Sequence, residues 1–309
     1  MKKKPMIIIA SALLVICMTL PVSAVEISNG ISGDGAWQVD VLSGGESRAG
    51  FLDPTGSLAA TDVIYDYFHY IDVGGNGGGF RLEMGTPVLT GPNTVSSSGS
   101  FAGQNGAVDW TAESTIGPGS SLYITELNFT SENPFGNIQL IQYLDEDVLG
   151  ADNDNLIVLG TPGAADFQLL TVDGDENVGV SHAATYDSPI GMTYEGWAAM
   201  PFSSLRSAIT GAGASYSVAG EITGISSITD PRYPGSPAYG SLDITSAIAF
   251  NFDPEATYAS TIFSLGGSPD GTPSPPLPPP DNSIPEPATM LLLSAGLAVL
   301  AGTRHQIKK

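Results

Sequence analysis

Between residue 25 and about residue 265 the chain is interrupted every few positions by Gly, Pro, Ser, Thr, Asn or Asp, and no long apolar stripe of period 3.6 develops. A surface helix needs such a stripe to bury one face. This texture therefore commits the chain to strands joined by turns. The clearest period-2 segments are 122–130, with Leu122, Ile124 and Glu126 set against Tyr123, Thr125 and Leu127, and 137–144, with Ile138, Leu140 and Gln142 set against Gln139, Ile141 and Tyr143. Ser131-Glu132-Asn133-Pro134-Phe135-Gly136 between them has turn chemistry, which predicts a hairpin. A terminal hairpin is predicted where Ile248, Phe250 and Phe252 run into Asp253-Pro254-Glu255 and return through Tyr258, Ser260 and Ile262.

Further strands are expected at 37–42, 63–73, 80–84, 108–113, 156–159 and 167–172. Segment 63–73 has apolar bulk on both faces, as in a strand covered on both sides. The glycine-rich run 74–79 lacks the G-x-G-x-x-G spacing and precedes no helix, so it reads as a flexible turn. One helix is expected at 201–209, with Pro201 at its start and Gly211 just past its end. The predicted fold class is all-β, a single large antiparallel β-sandwich over 25–265. The Gly-, Ser- and Pro-rich segment 211–240 leaves two smaller sandwiches as the alternative.

Charge narrows the partners. Six of the ten cations lie at the two ends, and residues 25–287 hold no lysine, only Arg48, Arg81, Arg206 and Arg232 against 32 carboxylates. Nucleic acid and anionic membrane surfaces both require basic surface, so neither is an expected partner of this region.

The ends read as addresses. Lys2, Lys3 and Lys4 precede an apolar run, 6–20, then Pro21 and Val22-Ser23-Ala24, a pattern that predicts a signal peptide over 1–24 cleaved after Ala24. Cys17, the only cysteine, would leave with it, which removes disulfides and thiolate chemistry from the exported chain. At the other end a proline-rich linker, 266–284, leads to Pro285-Glu286-Pro287, an apolar segment at 288–303 and a tail with Arg304, Lys308 and Lys309. This order predicts a short transmembrane helix with cytoplasmic cations.

Segment 285–309 resembles the PEP-CTERM sorting domain of exported bacterial proteins, which reads Pro-Glu-Pro, apolar helix, basic cluster. Gln306 and Ile307 interrupt the basic run. The resemblance implies an exosortase, a membrane-embedded cysteine protease-transpeptidase, as partner. It also implies a Gram-negative source that makes extracellular polysaccharide, an inner-membrane intermediate, and a final place at the surface or outside the cell.

Acidic loops are the main candidate sites. Asp145 and Asp147 close one predicted strand, Asp152 and Asp154 open the next, and Asp173 and Asp175 follow another. Hard oxygen ligands at alternating positions suit Ca²⁺, the one cofactor expected here, although the EF-hand pattern fails at Val178 and Ala184. Because antiparallel connections alternate between ends, each loop is treated as a separate site. Trp37, Trp110 and Trp197 are candidates for a sugar-stacking platform or for core. His69 is expected to be a packed, hydrogen-bonded ring within its strand. No catalytic motif occurs, and no catalytic residue is assigned. The expected function is a structural or binding role at the cell envelope or in its polysaccharide matrix. The alternative is a secreted glycoside hydrolase or lyase on an all-β scaffold.

Overall fold

The computed structural model describes residues 24–30, 37–42, 47–51, 62–74, 78–82, 85–148, 153–174, 179–184, 189–211, 218 and 221–268. The predicted signal segment up to residue 23, the linker beyond residue 268, the apolar run 288–303 and the sorting residues lie outside them. Among the described residues no helix is long and apolar enough to cross a membrane.

Among the described residues, nineteen strands and one short helix follow in chain order. The first group is β1 (Ala24–Ser28), β2 (Trp37–Leu42), β3 (Ser47–Phe51), β4 (Asp62–Asp72), β5 (Phe80–Arg81) and β6 (Val88–Gly91). Next come β7 (Thr94–Ala102), β8 (Ala107–Ile116), β9 (Leu122–Ser131), β10 (Gln139–Asp145), β11 (Asp154–Leu159) and β12 (Gln168–Asp173). Then follow β13 (Gly179–Ala184), β14 (Met192–Pro201), the helix α1 (Ser204–Thr210), β15 (Glu221–Ile222) and β16 (Ser226–Ile228). The last are β17 (Ala238–Leu242), β18 (Ile244–Phe252) and β19 (Tyr258–Ser268).

One sheet runs β1-β2-β3-β4-β10-β18-β14-β15, with β5 also on β4, and the other runs β16-β17-β11-β12-β13-β19-β9-β8-β7-β6. Every pairing is antiparallel except β14 with β15. The sheets share one interior, since residues of both make up each of two apolar clusters. Strand β8 shows the alternation that the sequence displays, with Val108, Trp110, Ala112, Ser114 and Ile116 turned inward. Strands β10, β12 and β13 are buried throughout because their outer faces are covered as well.

Both predicted hairpins are corrected. β9 lies in the second sheet and β10 in the first, and the same holds for β19 and β18. Their connecting turns cross from sheet to sheet. Turn residues specify a reversal of direction, but the choice between pairing alongside and packing face to face is made by what each strand buries. The glycine run is also more specific than a flexible turn. Gly78 takes φ +67°, and a Cβ there would sit 2.4 Å from the Gly211 carbonyl oxygen, while the Gly79 amide donates to Ile209 O at 2.8 Å. The two glycines let the chain press against the end of α1, whose Leu205 and Ile209 pack on Phe68, Tyr70, Ile141 and Tyr143.

A polar layer divides the interior. On β4, His69 lies between Tyr67 of one apolar cluster and Ile71 of the other, and Gln142 on β10, Thr125 on β9 and His182 on β13 occupy the same level. Most of the layer is hydrogen-bonded, but neither ring nitrogen of His69 has a partner. Ser114 meets Thr125 at 3.2 Å, Gln142 bonds Tyr67 Oη and His182 Nε2, His182 Nδ1 meets Ser246 Oγ at 3.3 Å, and Ser246 donates to Glu146 at 2.7 Å. Thr171 donates to the same Glu146 oxygen at 3.2 Å.

Candidate functional site

The acidic ends of β10, β11 and β12 converge at one end of the sandwich. The step from β10 to β11 changes sheets, and β12 returns antiparallel beside β11, so Asp145, Asp154 and Asp173 finish at the same end. The treatment of each loop as a separate site is thereby corrected: the connections do alternate between ends, but the one after β10 and the one after β12 are two steps apart, so they return to the same end.

Within that end the acids divide by face. Asp145 lies opposite Asp66 on the outer face, where Arg206 of α1 reaches Asp66 at 2.8 Å and Asp145 at 3.7 Å. Burial, together with the charges of Asp243 and Asp147, pushes the Asp145 carboxyl up to about 8. Glu146 turns inward and ends the polar layer; burial holds its carboxyl well above the usual range. Asp154 faces Asp173 in register and is 0% exposed, and neither of its carboxylate oxygens has a hydrogen-bond partner. Burial pushes it up to about 9, reinforced by Glu146, Asp147, Asp173 and Asp243. Asp173 O accepts from Arg232 Nη1 at 3.0 Å, and Arg232 pairs with Asp230 at 2.7 Å. Asp152 and Asp175 lie outside the described residues. Among the described residues no group of three or more acidic, histidine or cysteine side chains is gathered as a ready-made metal shell.

The three tryptophans are core. All are buried, Trp37 and Trp110 almost completely, so they offer no stacking platform. His69 is packed as expected, against Tyr67 and Phe263, but the expected hydrogen bonding is corrected, since neither ring nitrogen has a partner; burial lowers it to about 3. Ser246, His182 and Glu146 form a hydrogen-bonded series of the residue types used in nucleophilic catalysis, but all three are 0% exposed, which shuts substrate out.

Sequence reasoning missed a groove of about 420 Å³ on the outer face of the first sheet, at the end opposite the acids. Four adjacent strands present polar residues there at one level: Asp72 of β4 pairs with Gln139 of β10, Gln139 with Asn251 of β18, and Asn251 with Thr193 of β14. The register then slips between Tyr194 and Gly196, a bulge centred on Glu195. Its side chain accepts from Gln139 Nε2, which also reaches Asn251 Oδ1 at 3.4 Å. Asp72 Oδ1 accepts from the Gly74 amide at 2.8 Å. Phe252 and Pro254 supply an apolar wall. The sequence signal that could have found the groove is a polar residue at the end of each of several apolar strands, but β14 itself went unread.

Comparison with known proteins adds information at the C-terminus. Residues 283–304 match the PEP-CTERM protein-sorting motif. The match contains the Pro285-Glu286-Pro287 tripeptide, the apolar run and Arg304. The sorting motif thus covers the segment that the sequence resemblance had marked out, apart from the last five residues of the tail. No curated protein matches the chain. Among solved structures, a bacterial glucoamylase complexed with acarbose is similar at 8% identity and a TM-score of 0.44, over 79% of this chain and 32% of that one. The chain therefore spans about a third of the length of that structure, and so distant a likeness carries no inference about activity.

Proposed function

We propose that this protein is exported, held briefly in the inner membrane by its C-terminal helix, and processed by an exosortase to a surface or extracellular form with a structural or binding role in association with polysaccharide. The sorting motif at 283–304 is the observation that carries this reading. The rest of the chain is compatible with it. An antiparallel sandwich with a lysine-free, acidic body suits solubility outside the cell and repels nucleic acid and anionic lipid. Replacing Glu286 by Ala, or deleting residues 304–309, is expected to leave precursor in the inner-membrane fraction. Normal release of both variants would remove the sorting role.

A calcium ion at the acidic end is a second part of the proposal, favoured by Asp154. Burial and neighbouring acids keep Asp154 protonated with neither oxygen bonded, and a cation with flexible oxygen coordination would displace that proton and supply the missing partner. Asp154 and Asp173 would be its side-chain ligands, with water completing the shell.

A further inference from the structure

We propose that the groove across β4, β10, β18 and β14 binds the hydroxyl face of an uncharged glycan unit. The inference rests on the polysaccharide association proposed above and supplies its place and chemistry.

The row is built before any ligand arrives. Asp72, Gln139, Asn251 and Thr193 hold one level because the antiparallel registers fix them there, on strands rather than on loops. Bulges re-aim a side chain out of the ladder and recur beside binding and active sites. Here the bulge brings Glu195 onto Gln139, whose amide nitrogen is thereby held between Glu195 and Asn251. Gln139 Oε1 is left without a partner although the residue is only 7% exposed. A buried acceptor in that state carries a desolvation cost that a donor from a ligand would remove.

The chemistry of the lining selects the donor. Asp72 and Glu195 accept only, Gln139 offers its free oxygen, and the amides of Asn137 and Asn251 can also donate. A sugar hydroxyl both donates and accepts, so a run of neighbouring hydroxyls fits such a row. Among the described residues no Arg or Lys lines the groove, and its two carboxylates repel uronates and sulfate esters. Its size lies within the ~300–1,000 Å³ of small-ligand sites.

The test uses the full-length chain in a mild detergent and measures retention on immobilised polysaccharides: a neutral β-glucan, a neutral galactomannan, alginate, polygalacturonate and chitosan. Retention on a neutral polymer is expected, falling at least tenfold in Asn251→Ala and in Glu195→Gln while the melting temperature stays within a degree or two of the parent. Asn251 is exposed and Glu195→Gln keeps its shape, so neither change threatens the fold. Unchanged retention in both variants would overturn the groove and leave polysaccharide association standing. Retention on the acidic polymers or chitosan alone would overturn the uncharged ligand. Failure of the parent chain to bind any of the five would overturn the association itself, independently of the fractionation test of sorting.

Discussion

Gln142 of the first sheet and His182 of the second are hydrogen-bonded to each other in the middle of the sandwich, where both are 0% exposed. The pair is the crossing point of the polar layer, since Gln142 also bonds Tyr67 and His182 also meets Ser246. Gln142→Leu would leave His182 Nε2 without its partner, at about 1–3 kcal/mol, and take from Tyr67 Oη one of its two partners, Thr125 remaining. The expected loss in urea unfolding is therefore about 1–3 kcal/mol. Combining Gln142→Leu with His182→Phe should cost less than the two single changes added together, because the second removes a group that the first had already orphaned. Strict additivity would mean that the layer is not one network.

The two buried histidines set an acid limit on stability. Burial lowers both His69 and His182 to about 3, against about 6.5 for an unfolded chain. The unfolded state therefore takes up protons that the folded state refuses. Their contribution is complete above about pH 6.5 and is lost as pH falls toward 3. Asp145, raised to about 8, works in the opposite sense, its contribution being lost as pH rises through that value. Comparison with His69→Phe cancels the carboxylates. The parent chain should lose stability relative to this variant by up to ~1.4 kcal/mol per pH unit between pH 6 and 4. Parallel urea midpoints over that range would contradict a neutral buried His69.

Calcium should act through Asp154. At fixed ionic strength, millimolar Ca²⁺ is expected to raise the melting temperature more than Mg²⁺, which demands stricter octahedral geometry. Asp154→Asn should abolish that difference. In calcium-free buffer at neutral pH the same variant should melt close to the parent, because Asp154, pushed up to about 9, is already uncharged there. A calcium shift that survives in Asp154→Asn would place the ion elsewhere.

Much of the strand content was legible because period 2 survives wherever one face is apolar and the other polar. Trp37–Leu42 was read to the residue, and Asp62–Asp72 and Leu122–Ser131 to within one. Other strands hid for physical reasons. Thr94–Ala102 is Ser-rich and half exposed, and Met192–Pro201 contains a bulge that breaks its alternation. Partner choice was illegible, because Ser131 to Gly136 and Asp253 to Glu255 read alike whether a chain pairs beside its predecessor or crosses to the facing sheet. The acids were visible as composition, but which of them end up side by side, such as Asp154 with Asp173, depends on strand pairing and register. The groove depends on register across four strands that are distant in sequence, which no local pattern encodes.

The account depends most on removal of the C-terminal segment. Intact-mass measurement of the protein recovered from the surface or the medium tests this directly. The expected species begins after Ala24 and lacks the apolar run 288–303 and the tail ending in Lys308 and Lys309, with the full-length C-terminus found only in the inner membrane. Recovery of the released protein with its C-terminus complete through Lys309 would contradict exosortase processing.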